Sequence, residues 1–335
     1  MADGLPILIG LIALALIFDY INGMHDSANA IATVVSTRVL SPRTAILLSA
    51  ALNFAGAFMS TAVAKTIGKG IVDPQIVTNG IVAAALLSAI FWNLLTWWYG
   101  IPSSSSHALI GGIIGATISH HGFRALNGGG VMKIVNSLLI SPLAGFAGGV
   151  VIMIAIMWLF HKSPAGKVNR WFKHLQLVSA SFMALSHGSN DAQKAMGIIT
   201  MALVGGGFLH GTGKDFHVPT WVVFICASAM ALGTAAGGWR IIKTMGVKMI
   251  RLAPVHGFAA ETAASVTILT ATHMGAPVST THVISSAIMG VGSAKRASAV
   301  RWEIAGQMAM AWVLTIPCTA AVACLLGWGF MLLGG

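Results

Sequence analysis

Residues 23–30 read GMHDSANA, and residues 188–195 read GSNDAQKA. Each copy places an aspartate, Asp26 or Asp191, beside an apolar run long enough to enter a lipid bilayer. An ionisable group inside a bilayer costs roughly 2.5–3.5 kcal/mol on insertion scales and is usually retained for a function. Because the arrangement occurs twice, we interpret the two aspartates as functional and the chain as internally duplicated.

The composition is that of an integral membrane protein. Of 335 residues, 56% are hydrophobic and 8% are charged, against about 25% charged residues in a typical soluble domain. Several apolar runs approach the roughly 20 residues that cross a bilayer as a helix; the runs are 5–18, 45–64, 81–98, 138–160, 221–238 and 304–330. They lack the alternation of a transmembrane β-barrel. The sequence therefore predicts an all-α protein that crosses the membrane several times.

The basic residues do not indicate a nucleic-acid-binding protein. The formal net charge is +11, but the Lys and Arg residues lie in short connections between apolar runs, such as 162–173, 240–251 and 295–301. Such positions are typical of loops beside anionic lipid. We therefore expect lipid contact at these loops and no nucleic-acid partner.

A second motif also occurs twice. Residues 101–107 read IPSSSSH, and residues 276–282 read APVSTTH, 175 residues later. The two aspartates are 165 residues apart, so the second half has about ten extra residues, which we expect within 205–219.

The most polar long connection, residues 161–174, separates the two sets of motifs. We predict two homologous transmembrane repeats, residues 1–165 and 166–335. Duplicated halves that meet at interrupted helices are the architecture of many secondary transporters, in which the substrate binds near the middle of the membrane.

Three acids lie in apolar surroundings: Asp26, Asp191 and Glu261. A hard cation such as Na+ needs oxygen ligands and a compensating negative charge, and a proton carrier also needs a carboxylate. Either task would explain these acids. Alternatively, they pair with His25, Lys194 or backbone amides as structural polar clusters.

The second motif has the features of an anion site. Its proline ends the incoming helix, and Ser or Thr is a good N-cap for the next one. Free amides and the helix dipole then favour an anion, and hydroxyl groups add donors. The alternative is a simple cap and turn, but the duplication favours binding. The short apolar segments on either side would form helical hairpins whose tips end inside the membrane, and two facing tips would define one central site.

Two kinds of basic side chain accompany these motifs. His107 and His282 could bind the anion, transfer a proton or cap their own hairpins. Lys194 stands where the first repeat has Asn29. It could offset the charge of an anion or form an ordinary helical ion pair with Asp191.

In both motifs the sequence resembles the inorganic phosphate transporter (PiT) family, in its compact prokaryotic form. The family's duplicated Gly-x-Asn-Asp element is matched at 23–30 and 188–195, with His25 in place of the first Asn. Its Pro-x-Ser-x-Thr-His element is matched at 102–107 and 277–282, and its preceding acid by Glu261. The resemblance covers nearly the whole chain.

The resemblance implies phosphate import by Na+ or H+ symport in a prokaryotic cell membrane, inverted repeats with broken helices and re-entrant hairpins, and a homodimer. It implies twelve or so membrane segments. We expect six hydroxyl residues to bind phosphate: Ser104, Ser105, Ser106, Ser279, Thr280 and Thr281. We expect six residues to bind the coupling cation or shape its site: Asp26, Asp191, Asn29, Asn190, His25 and Glu261. Lys194, His107 and His282 are candidate auxiliary residues, and no cofactor or metal is expected beyond a bound Na+.

The sequence leaves three alternative functions to consider. The same architecture could carry sulfate or another tetrahedral oxyanion. A membrane-embedded Ser/His hydrolase would need a third group that orients the base, and the sequence offers no matching acid at a fixed spacing, so we expect no enzyme activity. A passive channel would show no dependence on a cation gradient.

Overall fold

The computed structural model describes residues 5–209 and 216–332. These ranges form twelve α-helices: α1 (Leu5–Ser36), α2 (Pro42–Gly56), α3 (Ala62–Gly70), α4 (Asn79–Tyr99), α5 (Ser105–His121), α6 (Gly128–Leu159), α7 (Ala165–Gly205), α8 (Thr220–Ala236), α9 (Trp239–Lys243), α10 (Pro254–His273), α11 (Thr280–Lys295) and α12 (Trp302–Leu332). A π-helical turn, Thr244–Lys248, continues α9, and 3₁₀ turns lie at Pro74–Ile76, Phe123–Ala125 and Ala297–Ala299. The all-helical prediction is confirmed. The extra residues expected within 205–219 fall partly on 210–215, outside the described ranges.

Four of the described helices are long and apolar enough to cross a membrane, namely α1, α4, α6 and α12. Helix α8 and the segment 239–248 would form a fifth span together, with a bend of 60° between them. The chain is thus a multi-pass helical membrane protein, as its composition predicts.

The elements follow the same order in both halves. Each half begins with a long helix that carries an aspartate motif, α1 or α7. Each ends with a long helix that contains an internal proline, Pro142 in α6 or Pro317 in α12. The duplication, the inversion of the repeats and the boundary at residue 165 stay predictions.

The two halves do not form two separate cores. One apolar core joins the first part of α1 to α4, α5, the end of α7 and α8. The other joins the second part of α1 to the start of α7, α10 and α11. Both aspartate motifs therefore lie at the junction of the two cores.

Two local expectations differ from the structure. The apolar run 45–64 is divided between α2 and α3, and the buried Gln193 side chain binds the start of α3. Its Oε1 accepts hydrogen bonds from the backbone N of Val63 at 2.8 Å and of Ala64 at 3.0 Å. The aspartates, expected where apolar runs end, instead lie within the unbroken helices α1 and α7.

Close helix crossings explain the glycine that begins each aspartate motif. A Cβ atom on Gly23 would lie 2.3 Å from the carbonyl oxygen of Met230, on α8. A Cβ on Gly188 would lie 2.2 Å from the carbonyl oxygen of Asn53, on α2. Real Cβ atoms do not approach a backbone oxygen this closely, so each glycine sets how near its helix comes to the neighbour.

We expect Gly23→Ala to lower the free energy of unfolding by about 1–3 kcal/mol, because the helices must move apart. The measurement is thermal unfolding of the purified protein in detergent. Gly10→Ala is the matched control, since Gly10 lies on the same helix and a Cβ atom there would have no described atom within 4 Å. Equal melting temperatures for the two variants would contradict the close crossing.

Candidate functional site

The two copies of the second motif form the tips of two helix pairs. Helix α4 ends at Gly100 in a left-handed conformation, with φ of 66°, and α5 begins after Ser104. The Ser104 hydroxyl accepts a hydrogen bond from the backbone N of His107 at 3.1 Å. Ser279 caps α11 in the same way, at 3.2 Å from the backbone N of His282. The predicted helix break and N-caps are therefore present in both tips.

The tips meet each other. The Ser106 hydroxyl of one tip donates to the carbonyl oxygen of Val278 in the other, at 2.9 Å. The rings of His107 and His282 lie 4.4 Å apart, and His282 stacks on Trp312 at 4.0 Å. The first residues of α5 and α11 are therefore held together in the buried interior of the protein.

The aspartates of α1 and α7 contact the two tips. Asp26 accepts hydrogen bonds from Ser105 at 2.9 Å and from Thr281 at 3.2 Å, one hydroxyl from each tip. Asp191 accepts from Thr280 at 3.1 Å. Asn29 donates to Thr280 at 3.2 Å and to Thr281 at 2.9 Å. A single hydrogen-bond network therefore joins both copies of both motifs.

Two basic side chains complete the network. Lys194 is only 1% exposed, and its Nζ lies 3.0 Å from an Asp191 oxygen. The same atom donates to Ser105 at 2.9 Å, so Lys194 connects the halves in addition to forming the helical ion pair. His25 places Nδ1 2.8 Å from Asp26 and Nε2 3.1 Å from the Thr96 hydroxyl.

A cation could fit between the two aspartates. Asp26, Asp191 and His187 each offer a ligand atom, and these atoms lie within 4.8 Å of one another in a buried position. The His187 Nε2 atom lies 3.4 Å from Asp191. Sequence reasoning did not single out His187, although it lies one helical turn before Asp191 and therefore on the same face of α7.

The predicted hydroxyl residues divide by role, and all six are at most 1% exposed. Ser104 and Ser279 cap helices, and Ser106 bonds the opposite tip. Ser105, Thr280 and Thr281 donate to the aspartates.

Two predicted cation-site residues lie outside this network. Glu261, on α10, accepts hydrogen bonds from Thr33 at 2.6 Å, from Gln176 at 2.9 Å and from Ser179. The Asn190 amide donates to Thr272 at 2.8 Å. Both residues are fully buried. They line neighbouring polar clusters, with Glu261 two turns of α1 beyond the central aspartates.

Buried charges and hydroxyls inside a multi-pass helical protein are typical of a transporter. The chain matches the model of the phosphate transporter family over residues 22–323. The chain therefore belongs to the phosphate transporter family. This confirms the resemblance of the motifs and the prediction that the chain is not an enzyme.

Individual relatives are also described as phosphate transporters. The chain is 50% identical over 321 residues to a probable low-affinity inorganic phosphate transporter of Rhizobium meliloti, with 96% of this chain and 95% of the relative covered. It is 52% identical over 320 residues to the protein of that description in Bacillus subtilis, with 95% of each covered. A solved structure, described as the sodium-dependent phosphate transporter, matches with a TM-score of 0.89 at 26% identity and covers 98% of this chain and 99% of that one.

Proposed function

We propose that the chain imports inorganic phosphate across a prokaryotic cell membrane by Na+ or H+ symport, through alternating access. One observation carries the proposal: the Asp26 carboxylate binds hydroxyl groups from both tips, Ser105 and Thr281. A change of charge on this acid must alter both halves of the anion site. The relatives support phosphate as the substrate, and the sodium-dependent solved structure supports cation coupling.

In the proposed mechanism, cation binding precedes phosphate binding, and the hydrogen bonds of the aspartates support this order. With both aspartates ionised, Ser105, Thr280 and Thr281 donate to carboxylates and are not free to bind an anion. A cation between Asp26 and Asp191 neutralises their charge and weakens these bonds. The hydroxyl groups then turn towards phosphate, and the amides at the starts of α5 and α11 add donors and a favourable helix dipole. Cation binding therefore prepares the phosphate site.

Other buried groups offset the phosphate charge or position the site residues. Lys194 offsets part of the phosphate charge from its position between Asp191 and Ser105. Asn29 orients the two threonines, and His25 fixes Asp26. Asn190 and Glu261 shape the polar surroundings of the cation site from the neighbouring clusters, while His107 and His282 hold the two tips together. The coupling cation is cargo, no further cofactor is needed, and the protein functions as a homodimer surrounded by lipid.

Uptake of radiolabelled phosphate into proteoliposomes tests this function. Separate sets receive an inward Na+ gradient, an inward proton gradient or neither. We expect one gradient to drive uptake above the control, and excess arsenate to inhibit that uptake while excess sulfate does not. A rate of phosphate uptake that is the same with either gradient and with neither would indicate a channel. Uptake that is inhibited by sulfate and not by arsenate would indicate a sulfate carrier.

The Thr281 hydroxyl provides a sharper test of the site. We expect Thr281→Ala to lower kcat/KM for phosphate uptake at least about tenfold, because a hydrogen bond to a charged group contributes roughly 1.5–3 kcal/mol. Thr281→Ser keeps the hydroxyl and should retain most of the activity. Initial uptake rates across a range of phosphate concentrations provide the measurement. Equal losses in both variants would assign Thr281 a packing role instead.

A further inference from the structure

Helix α1 carries a continuous polar face through the protein. Asp19, Asn22, Asp26, Asn29 and Thr33 follow one another at intervals of three and four residues. This spacing places all five on one side of a helix. Each is at most 1% exposed. At 1.5 Å per residue the face is roughly 21 Å long, a large part of the thickness of a bilayer.

The central aspartates lie midway along this polar face, and a carboxylate lies at each end. At one end Thr33 donates to Glu261 at 2.6 Å. At the other end is Asp19, two helical turns before Asp26. The transport mechanism described above gives Asp19 no task.

Within the described part of the chain, Asp19 differs from Asp26, Asp191 and Glu261 because neither of its carboxylate oxygens has a well-formed hydrogen bond. No described residue forms a hydrogen bond of normal geometry with either of its carboxylate oxygens or with the polar atoms of the Asn22 side chain, which lies one turn further along α1 and is close enough to act on Asp19. Both residues are 0% exposed. A buried, unpaired carboxylate is strongly unfavourable and requires a positive charge or a proton.

The surrounding helices do not supply that charge. Lys194 and Asp191 of α7 are close enough to act electrostatically on Asp19, and α8 presents the thiol of Cys226. Lys194, however, is already bound to Asp191 and Ser105. Helix α4, which also packs on α1, carries no Asp, Glu, Lys, Arg or His. Among the described residues around Asp19, none is left to neutralise it.

We propose that Asp19 and Asn22 form a second binding site for the coupling cation, either Na+ or a proton. The proposal rests on the symport function above and adds one cation per phosphate to it. For Na+, the Asp19 oxygens and the Asn22 carbonyl are suitable hard ligands. For a proton, Asp19 alone is the acceptor. The site lies on the side of the central aspartates opposite to Glu261, so α1 lines a path with a carboxylate before, at and after the centre.

The number of cations carried per phosphate tests the proposal. Proteoliposomes are loaded with a pH-sensitive dye, and entry of labelled Na+, protons and labelled phosphate is followed in parallel. We expect Asp19→Asn to transport phosphate with one cation fewer per phosphate than the unmodified protein. Ser49→Ala is the control, because Ser49 is a buried residue on α2 whose hydroxyl also has no hydrogen-bond partner in the ranges that the structure describes. Its cation-to-phosphate ratio should be unchanged. An unchanged ratio in Asp19→Asn would overturn the proposal.

If Asp19→Asn does not transport phosphate, a second experiment measures cation binding in the absence of transport. The melting temperature of the purified protein is measured without phosphate, in a Na+ titration at fixed pH and a pH titration at fixed Na+. We expect Asp19→Asn to lose part of the cation-dependent stabilisation. Loss in Asn22→Ala as well identifies Na+, and loss in Asp19→Asn alone identifies a proton. Identical titrations for Asp19→Asn and the unmodified protein would refute the site, whereas absence of coupled uptake by the unmodified protein would refute the symport function itself.

Discussion

Asp26→Asn is expected to lower gradient-driven phosphate uptake at least about a hundredfold. The substitution removes the negative charge that binds the cation and that receives one hydroxyl from each tip. Removing one partner of a buried charged contact costs about 3–5 kcal/mol, and each 1.4 kcal/mol is tenfold in an equilibrium constant. Initial rates of labelled phosphate uptake into proteoliposomes, normalised to reconstituted protein, provide the measurement.

The control for this variant is Asp73→Asn. Asp73 is exposed, and its side chain accepts a hydrogen bond from the backbone N of Gln75 at 3.0 Å, which the carbonyl of Asn can also accept. The same chemical change at this position should leave uptake unaltered. Gradient-driven uptake by Asp26→Asn at the level of Asp73→Asn would show that Asp26 is structural and would remove the basis of the coupling mechanism.

Lys194→Met is expected to lower the free energy of unfolding by about 3–5 kcal/mol, because it leaves the buried Asp191 without its positive partner. Lys194 is 1% exposed and contacts both Asp191 and Ser105. Denaturant unfolding of the protein in detergent measures the change. Lys133→Met, at an exposed position on α6, should have little effect.

A double variant separates the charge from the shape of this side chain. Adding Asp191→Asn to Lys194→Met removes the unpaired charge, so we expect the double variant to recover most of the lost stability. It should not recover coupled uptake, because both the cation ligand and the charge that offsets phosphate are gone. Stability no higher in the double variant than in Lys194→Met would show that the loss comes from packing.

The local sequence predicted the tips of the two helix pairs. It did not predict which side chains the tips contact, because those side chains are distant along the chain. A proline followed by Ser or Thr at the start of a helix is a short-range pattern, and Ser104 and Ser279 cap as expected. The contact of Lys194 with Ser105 depends on how α5 packs against α7. No spacing within one motif contains that information.

Two residues were missed although the sequence contained a signal for them. His187 precedes Asp191 by one helical turn, and Asp19 precedes Asp26 by two. We expected the apolar runs to end at the aspartates and therefore did not consider residues on the same helix face. In the structure both helices continue through the motifs. Glu261 is a different case: the sequence marked it as a buried acid, but its distance from the centre is set by the packing of α10 on α1 and α7.

Equilibrium binding of labelled phosphate to the purified protein tests the central claim most directly, namely that cation binding at the aspartates prepares the phosphate site. Phosphate affinity is measured while Na+ is varied at fixed pH, and again while pH is varied at fixed Na+. We predict that one cation raises phosphate affinity, that phosphate raises the affinity for this cation by the same factor, and that Asp26→Asn removes the linkage. Phosphate binding of equal strength at every cation concentration would contradict the account.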